Sequence, residues 1–182
     1  MTDIKSAEDV LAFWKAAGPD KWFTKDDGFD AAIRDSFLAT YEAAAAGRLN
    51  SWENDPEGAL ALIIVLDQFP RNMFRASPRA WETDEPALKV AQAAIARGFD
   101  QAIDKDLRAF FYLPLMHSET IEDQELCVEL CRALGNESNL KYAELHADAI
   151  RRFGRFPHRN ALLGRATTPE EQAYLDGGGF AG

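Results

Sequence analysis

Phe29, Ile33, Phe37 and Tyr41 recur every four residues, the spacing that keeps apolar side chains on one face of an α-helix. Val10, Leu11, Phe13 and Trp14 form a shorter stripe behind Ser6-Ala7-Glu8-Asp9, which resembles a capping box with Asp in place of Glu. Asp55-Pro56-Glu57 supplies an N-cap, a proline for the first helical position and an acid for the first turn. The run from Ala59 to Leu66 that follows is apolar throughout. Periodicity alone does not separate a buried strand from a helix apolar on every side; the cap decides for a central buried helix, which Pro70 is expected to close. Further stripes and caps predict helices from about Thr83 to just before Gly98, Lys105 to Leu113, Glu119 to Leu134 and Ser138 to Phe153. Gly135 and Gly154 follow the last two as caps, and Thr168-Pro169-Glu170-Glu171 opens a short final helix.

No stretch sustains the alternation of a strand, and no change of composition marks a linker. The expectation is an all-α chain forming a single domain over residues 1–182, built from antiparallel helix pairs because the connections are short. Residues 176–182, with Gly177-Gly178-Gly179, are expected to form a flexible tail. The helix starts keep no strict period, so a regular solenoid does not follow from the sequence.

Composition narrows the partners. Thirty acidic residues against 20 basic ones give a net charge of −10, which repels nucleic acid and anionic membranes at long range. The N-terminus lacks the basic and apolar regions of a secretion signal, and no apolar run approaches the length of a membrane span. Cys127 and Cys131, four apart on one helical face, suit reduced core thiols better than a disulfide or a metal pair. The cytosol is the expected compartment.

Against this acidic background the arginines are concentrated. Of 13, Arg71, Arg75 and Arg79 fall in one window and Arg151, Arg152, Arg155, Arg159 and Arg165 in another, and no Asp or Glu lies between Ala149 and Pro169. Each window holds one of two related turns, Phe69-Pro70-Arg71-Asn72 and Phe156-Pro157-His158-Arg159-Asn160. Arginine's planar fork suits a carboxylate or phosphate. Three readings stay open: the arginines pair with the chain's own carboxylates, Asp67 among them, they hold an anionic ligand, or they recruit an acidic partner. For the ligand the candidates are Arg71, Asn72, Arg155, Arg159 and Asn160.

Pro114-Leu115-Met116-His117-Ser118-Glu119 brings an imidazole and a carboxylate to a helix start. Ser118 is the natural N-cap, and Glu119 is favourable there without chemistry. His117 and His158, both at helix breaks, are the acid–base candidates, with Glu119 as their acidic companion. His146, inside a helix, is expected to be a buried histidine bonded to a neighbour. His117, Glu119, His146 and His158 contain ligand types for zinc or iron, but no compact ligand signature is present, so neither metal nor cofactor is expected. Trp22-Phe23 and Trp52 adjoin loops and either pack or wall a pocket.

Trp22-Phe23, the segment Leu66–Asn72, the segment Pro114–Glu119, the segment Arg152–Asn160 and Leu163-Gly164-Arg165 together resemble the bacterial domain-of-unknown-function 924 family. The likeness runs along nearly the whole chain in order. It implies an all-α fold similar to tetratricopeptide-repeat proteins, and it implies no reaction. The favoured function is an Arg-, His- and Asn-lined pocket for a small anionic molecule, with His117 or His158 available for acid–base chemistry. The alternative is a helical-repeat interaction module gripping an acidic peptide or protein tail.

Overall fold

The computed structural model describes residues 3–180, and these contain no strand: the fold is all-α. No helix among them is long and apolar enough to cross a membrane. The chain divides after Pro114 into two compact units.

The first unit contains α1 (Ala7–Ala17), α2 (Pro19–Trp22), α3 (Asp27–Ala45), α4 (Pro56–Ile63), α5 (Phe69–Met73), α6 (Asp84–Ala96) and α7 (Lys105–Arg108). The Ser6/Asp9 capping box is formed, and Asp55 caps α4 through the Gly58 N–H. Every residue from Ala59 to Leu66 is at most 2% exposed, so α4 is the buried central helix, packed between α1 and α6. Trp14, Ile33, Phe69 and Phe110 fill the space around it. Gly58 allows this packing: a Cβ there would lie 2.3 Å from the Trp52 carbonyl oxygen. Helix propensity favours alanine, but the backbone contact outweighs it, and Gly58→Ala is expected to lower stability by about 1–2 kcal/mol. A urea midpoint no lower than that of the parent protein would show that the Trp52 turn yields freely.

Pro70 does not close the central helix. The backbone instead widens into a π turn over Ile64–Gln68, where the Phe69 N–H reaches the Ile64 carbonyl, and continues as α5 with Pro70 in its first turn. Proline lacks the N–H that would bond the Leu66 carbonyl in a continuous helix. The Thr83 hydroxyl takes that carbonyl instead, at 2.5 Å. Pro114 likewise sits in a first turn, that of α8 (Leu113–His117), rather than ending a helix.

The second unit, from Leu115 onward, holds α9 (Ile121–Leu134), α10 (Glu137–Phe153), a 3-10 turn at Pro157–Arg159 and α11 (Pro169–Asp176). Helices α9 and α10 pack along each other across a short turn. Asn136 caps α10, and the Thr168/Glu171 capping box opens α11. Ser118 is not an N-cap: helix α9 starts later, at Ile121, and the Ser118 hydroxyl donates to Asp123. Buried Gln124 fastens the end of α8 by donating to the Met116 and Ser118 carbonyls. Cys127 and Cys131 are free buried thiols with Sγ atoms 3.9 Å apart, and their contact together with burial pushes the Cys127 thiol up. The tail turns back after α11. Gly178 takes a positive φ of 78°, the Gly179 N–H bonds the Tyr174 carbonyl, and the Phe180 N–H bonds the Tyr174 hydroxyl at 2.9 Å. Residues 181 and 182 of the expected tail lie outside the described residues.

Candidate functional site

The first Phe-Pro turn belongs to the first unit, where its polar residues meet carboxylates. Arg71 forks onto Asp84, with Nη1 2.7 Å from Oδ1 and Nη2 3.1 Å from Oδ2. Its Nη1 also donates to the Asp67 carbonyl and lies 3.3 Å from the fully buried Asp67 carboxylate. Burial opposes the charged guanidinium, but Asp67 and Asp84 overcome that cost and raise its pKa. One turn later Arg75 forks onto Asp30, and the Asn72 amide donates to the same carboxylate at 2.8 Å.

The second turn repeats this grip within the second unit. Arg155 forks onto Glu171 at 2.6 and 2.9 Å, and the Asn160 amide donates to Glu171 at 3.2 Å. The Arg155 fork, ahead of the opposing burial, holds the Glu171 carboxyl down to about 2, with help from the Thr168 cap. In both turns, therefore, an arginine fork and an asparagine amide clamp one buried carboxylate. Arg165 forks onto Glu119 at 2.7 and 3.0 Å, and Glu119 also accepts the Phe156 N–H at 2.8 Å. Burial would raise the Glu119 carboxyl; Arg165, the Phe156 N–H and the charge of Arg159 keep it below its ordinary value. Its oxygens are thus committed to holding the turn. Arg71, Asn72, Arg155 and Asn160 are bonded in the same manner to the chain's own carboxylates, which is the pairing reading of the arginine windows.

A different grouping emerges around Phe156, itself fully buried. All three histidines of the chain come together there. His146 from α10 lies edge-on to Phe156 at 5.5 Å between ring centroids and 6.2 Å from His117 at the end of α8. His158 lies 5.7 Å from Phe156. Arg159, only 7% exposed, sets its guanidinium 4.7 Å from the Phe156 ring centroid and donates to the His117 carbonyl at 3.2 Å. The Phe180 ring closes the group, 3.9 Å from His146 and 5.1 Å from His158.

Within this cluster His146 has a defined state. Its Nδ1 lies 2.7 Å from the Tyr142 carbonyl, which only accepts, so Nδ1 carries the proton and Nε2 keeps its lone pair. Burial, the nearby His117 and the charges of His158 and Arg159 push its pKa down to about 3. His146 is therefore a neutral imidazole beside the Arg159 guanidinium. The helical spacing of His146 pointed to a buried histidine bonded to a neighbour, and that bond is present. The company of His117 and His158 has no signal in the spacing, and neither does the arrival of Phe180. No three His, Cys, Asp or Glu side chains among the described residues are grouped to hold a metal ion.

The first unit also carries an open groove of about 540 Å³ between α1 and α4, walled by Trp52 and lined by Glu8, Lys15, Asp55 and Glu57. None of the candidate arginines or histidines lines it. Trp22 packs instead, donating its indole N–H to the Trp14 carbonyl at 2.8 Å, while Phe23 stacks on Phe110 and stays 65% exposed.

The fold and these clamped turns define an all-helical protein whose arginines are spent largely on its own carboxylates. The chain belongs to the family of bacterial proteins of unknown function DUF924, whose model matches residues 10–179. It is similar to a protein of unknown function from Agrobacterium tumefaciens whose structure is solved, with 49% identity and a TM-score of 0.91 over 94% of this chain and 97% of that one. No curated protein matches.

Proposed function

We propose that the second unit binds a small anionic molecule at the histidine cluster, and that the second Phe-Pro turn with its arginine clamps exists to hold that cluster in place. The observation that carries this reading is the convergence of His146, His158 and Arg159 on one buried phenylalanine, with His117 beside His146, in a chain of net charge −10. A guanidinium amid an acidic protein draws anions locally, and a buried one makes strong charge-assisted hydrogen bonds to carboxylate or phosphate. His146, neutral with Nε2 as an acceptor, suits a donor group on the same molecule, and His117 and His158 flank it for proton exchange.

Of the residues expected to bind, Arg159 stays a direct contact in this proposal. Arg155, Asn160 and Glu119 act as positioning residues, while Arg71 and Asn72 hold carboxylates of the first unit. The peptide-binding alternative and the likeness to tetratricopeptide-repeat arrays find their support in the α9/α10 pair. The open groove of the first unit suits an acidic tail poorly, since Glu8, Asp55 and Glu57 outnumber Lys15 along it. The buried free thiols of Cys127 and Cys131 support the cytosol as the compartment.

The test follows the imidazole Cε1–H resonances of the whole chain while inorganic phosphate is added. Phosphate is expected to move all three histidine signals saturably, and Arg159→Ala is expected to weaken that binding by about tenfold or more, the loss of one charge-assisted hydrogen bond. Arg159→Lys, which keeps the charge, should lose less. Histidine signals that stay still at millimolar phosphate would remove the proposal.

A further inference from the structure

The ring of Phe180 fills a slot in this cluster, and we infer that the slot is the ring-binding part of the ligand site: the second unit takes a small aromatic acid, and its own tail competes for the same place. The inference rests on the anion-binding reading above and adds the second half of the ligand. Three aromatic walls bound the slot. His146 lies 3.9 Å from the Phe180 centroid, His158 stands edge-on at 5.1 Å and 85°, and Phe156 stands edge-on at 6.1 Å and 65°. Rings in such edge and tilted arrangements attract one another beyond simple burial, so the slot selects a flat ring over an aliphatic chain of similar size. Phe156 also lies under the Arg159 guanidinium, so a ring in the slot carries a short acidic arm towards Arg159.

The tail reaches the slot by a specific backbone path. A Cβ on Gly179 would lie 2.6 Å from the Tyr174 ring and from its carbonyl oxygen, so only glycine permits the turn. Three successive glycines make ordering this segment costly in backbone entropy. Against that cost, the described residues show the segment held back onto α11 by three backbone N–H bonds, Gly178 to the Leu175 carbonyl, Gly179 to the Tyr174 carbonyl and Phe180 to the Tyr174 hydroxyl. Phe180 itself is half-buried and packs against the core of Ala149, Ile150 and Phe156 from outside, so its departure uncovers one face of that core and removes none of its residues. A half-buried ring in a three-walled slot exchanges with a free ligand carrying the same ring.

The experiment compares 3-phenylpropionate with propionate as probes, on the full chain and on Phe180→Ala, by calorimetry and by the histidine resonances. If the tail fills the slot about nine-tenths of the time, it lowers the apparent affinity of a competitor about tenfold. Phe180→Ala is therefore expected to bind 3-phenylpropionate about tenfold more tightly than the parent chain, with propionate affinity unchanged. Should Phe180→Ala lose stability, Phe180→Leu keeps bulk in the slot and is expected to give a smaller gain with the same preference for the ring. Equal affinities for the two acids in both variants, or no gain in either, overturn the inference. If phosphate still moves the histidines through Arg159 in that case, the anion reading survives alone. If 3-phenylpropionate binds Phe180→Ala tightly and adding Arg159→Ala changes nothing, the slot stands and the anion reading falls.

Discussion

Replacing Arg71 with alanine is expected to cost the first unit about 3–5 kcal/mol, because it removes the guanidinium that balances the buried Asp67 carboxylate. Asp67 is fully buried, and Arg71 lies 3.3 Å from it while forking onto Asp84 and bonding the Asp67 carbonyl at the π turn. The variant removes the cation and leaves the desolvated anion behind, which is a far larger penalty than the loss of an exposed ion pair. All four tryptophans lie in the first unit, so denaturant unfolding followed by tryptophan fluorescence reports it directly. Arg71→Lys keeps the charge without the planar fork and should recover only part of the loss. Adding Asp67→Asn to Arg71→Ala should also recover part, since the stranded charge is then gone. A loss below about 1 kcal/mol for Arg71→Ala, within the range of an exposed pair, would sink the clamp account and return Arg71 to the ligand candidates.

Acid is expected to weaken the second unit through His146. The folded imidazole has its pKa pushed down to about 3, against an ordinary value of 6.5 in the unfolded chain. Protons therefore bind the unfolded chain first. The stability His146 contributes is complete above pH 6.5 and falls as the pH drops towards 3, at about 1.4 kcal/mol per pH unit. By pH 4 the loss reaches about 3 kcal/mol. Glu171, held down to about 2, acts in the same sense but only begins to lose its contribution below the ordinary value of 4.5. The window from pH 6.5 to 4.5 therefore separates the two. Amide exchange along α10, compared between the parent chain and His146→Gln, isolates the histidine: the parent should lose protection across that window more steeply than the variant. A His146 resonance that titrates near pH 6 would contradict the buried, neutral state and with it the predicted acid lability.

These two experiments fall on residues whose roles the chain reveals unequally. His146 is legible as a buried helical histidine because Tyr142, Ala149 and Phe153 lie on its side of the helix, and its Nδ1 bond goes to the carbonyl four residues back. The arginine windows were legible as a concentration of charge, but their partners were not. Arg75 meets Asp30 from 45 positions away and Arg165 meets Glu119 from 46, separations at which no spacing rule operates. Pro70 misled for a related reason. The expectation that it ends a helix follows from local sterics, whereas a hydroxyl from Thr83, 17 residues from Leu66, satisfies the carbonyl that proline leaves open.

The residue pattern alone sets the helical alphabet: the all-α class, the caps at Ser6, Asp55 and Thr168, and the buried run from Ala59 to Leu66. Each of these depends on contacts within about one helical turn, which a residue pattern encodes directly. Tertiary packing alone brings each related Phe-Pro turn onto a carboxylate, sets His146 and His158 against Phe156 with His117 beside His146, and folds Phe180 back onto them. Those contacts join segments far apart in the chain, and their partners are chosen by how the helices pack, which no single stretch of sequence specifies.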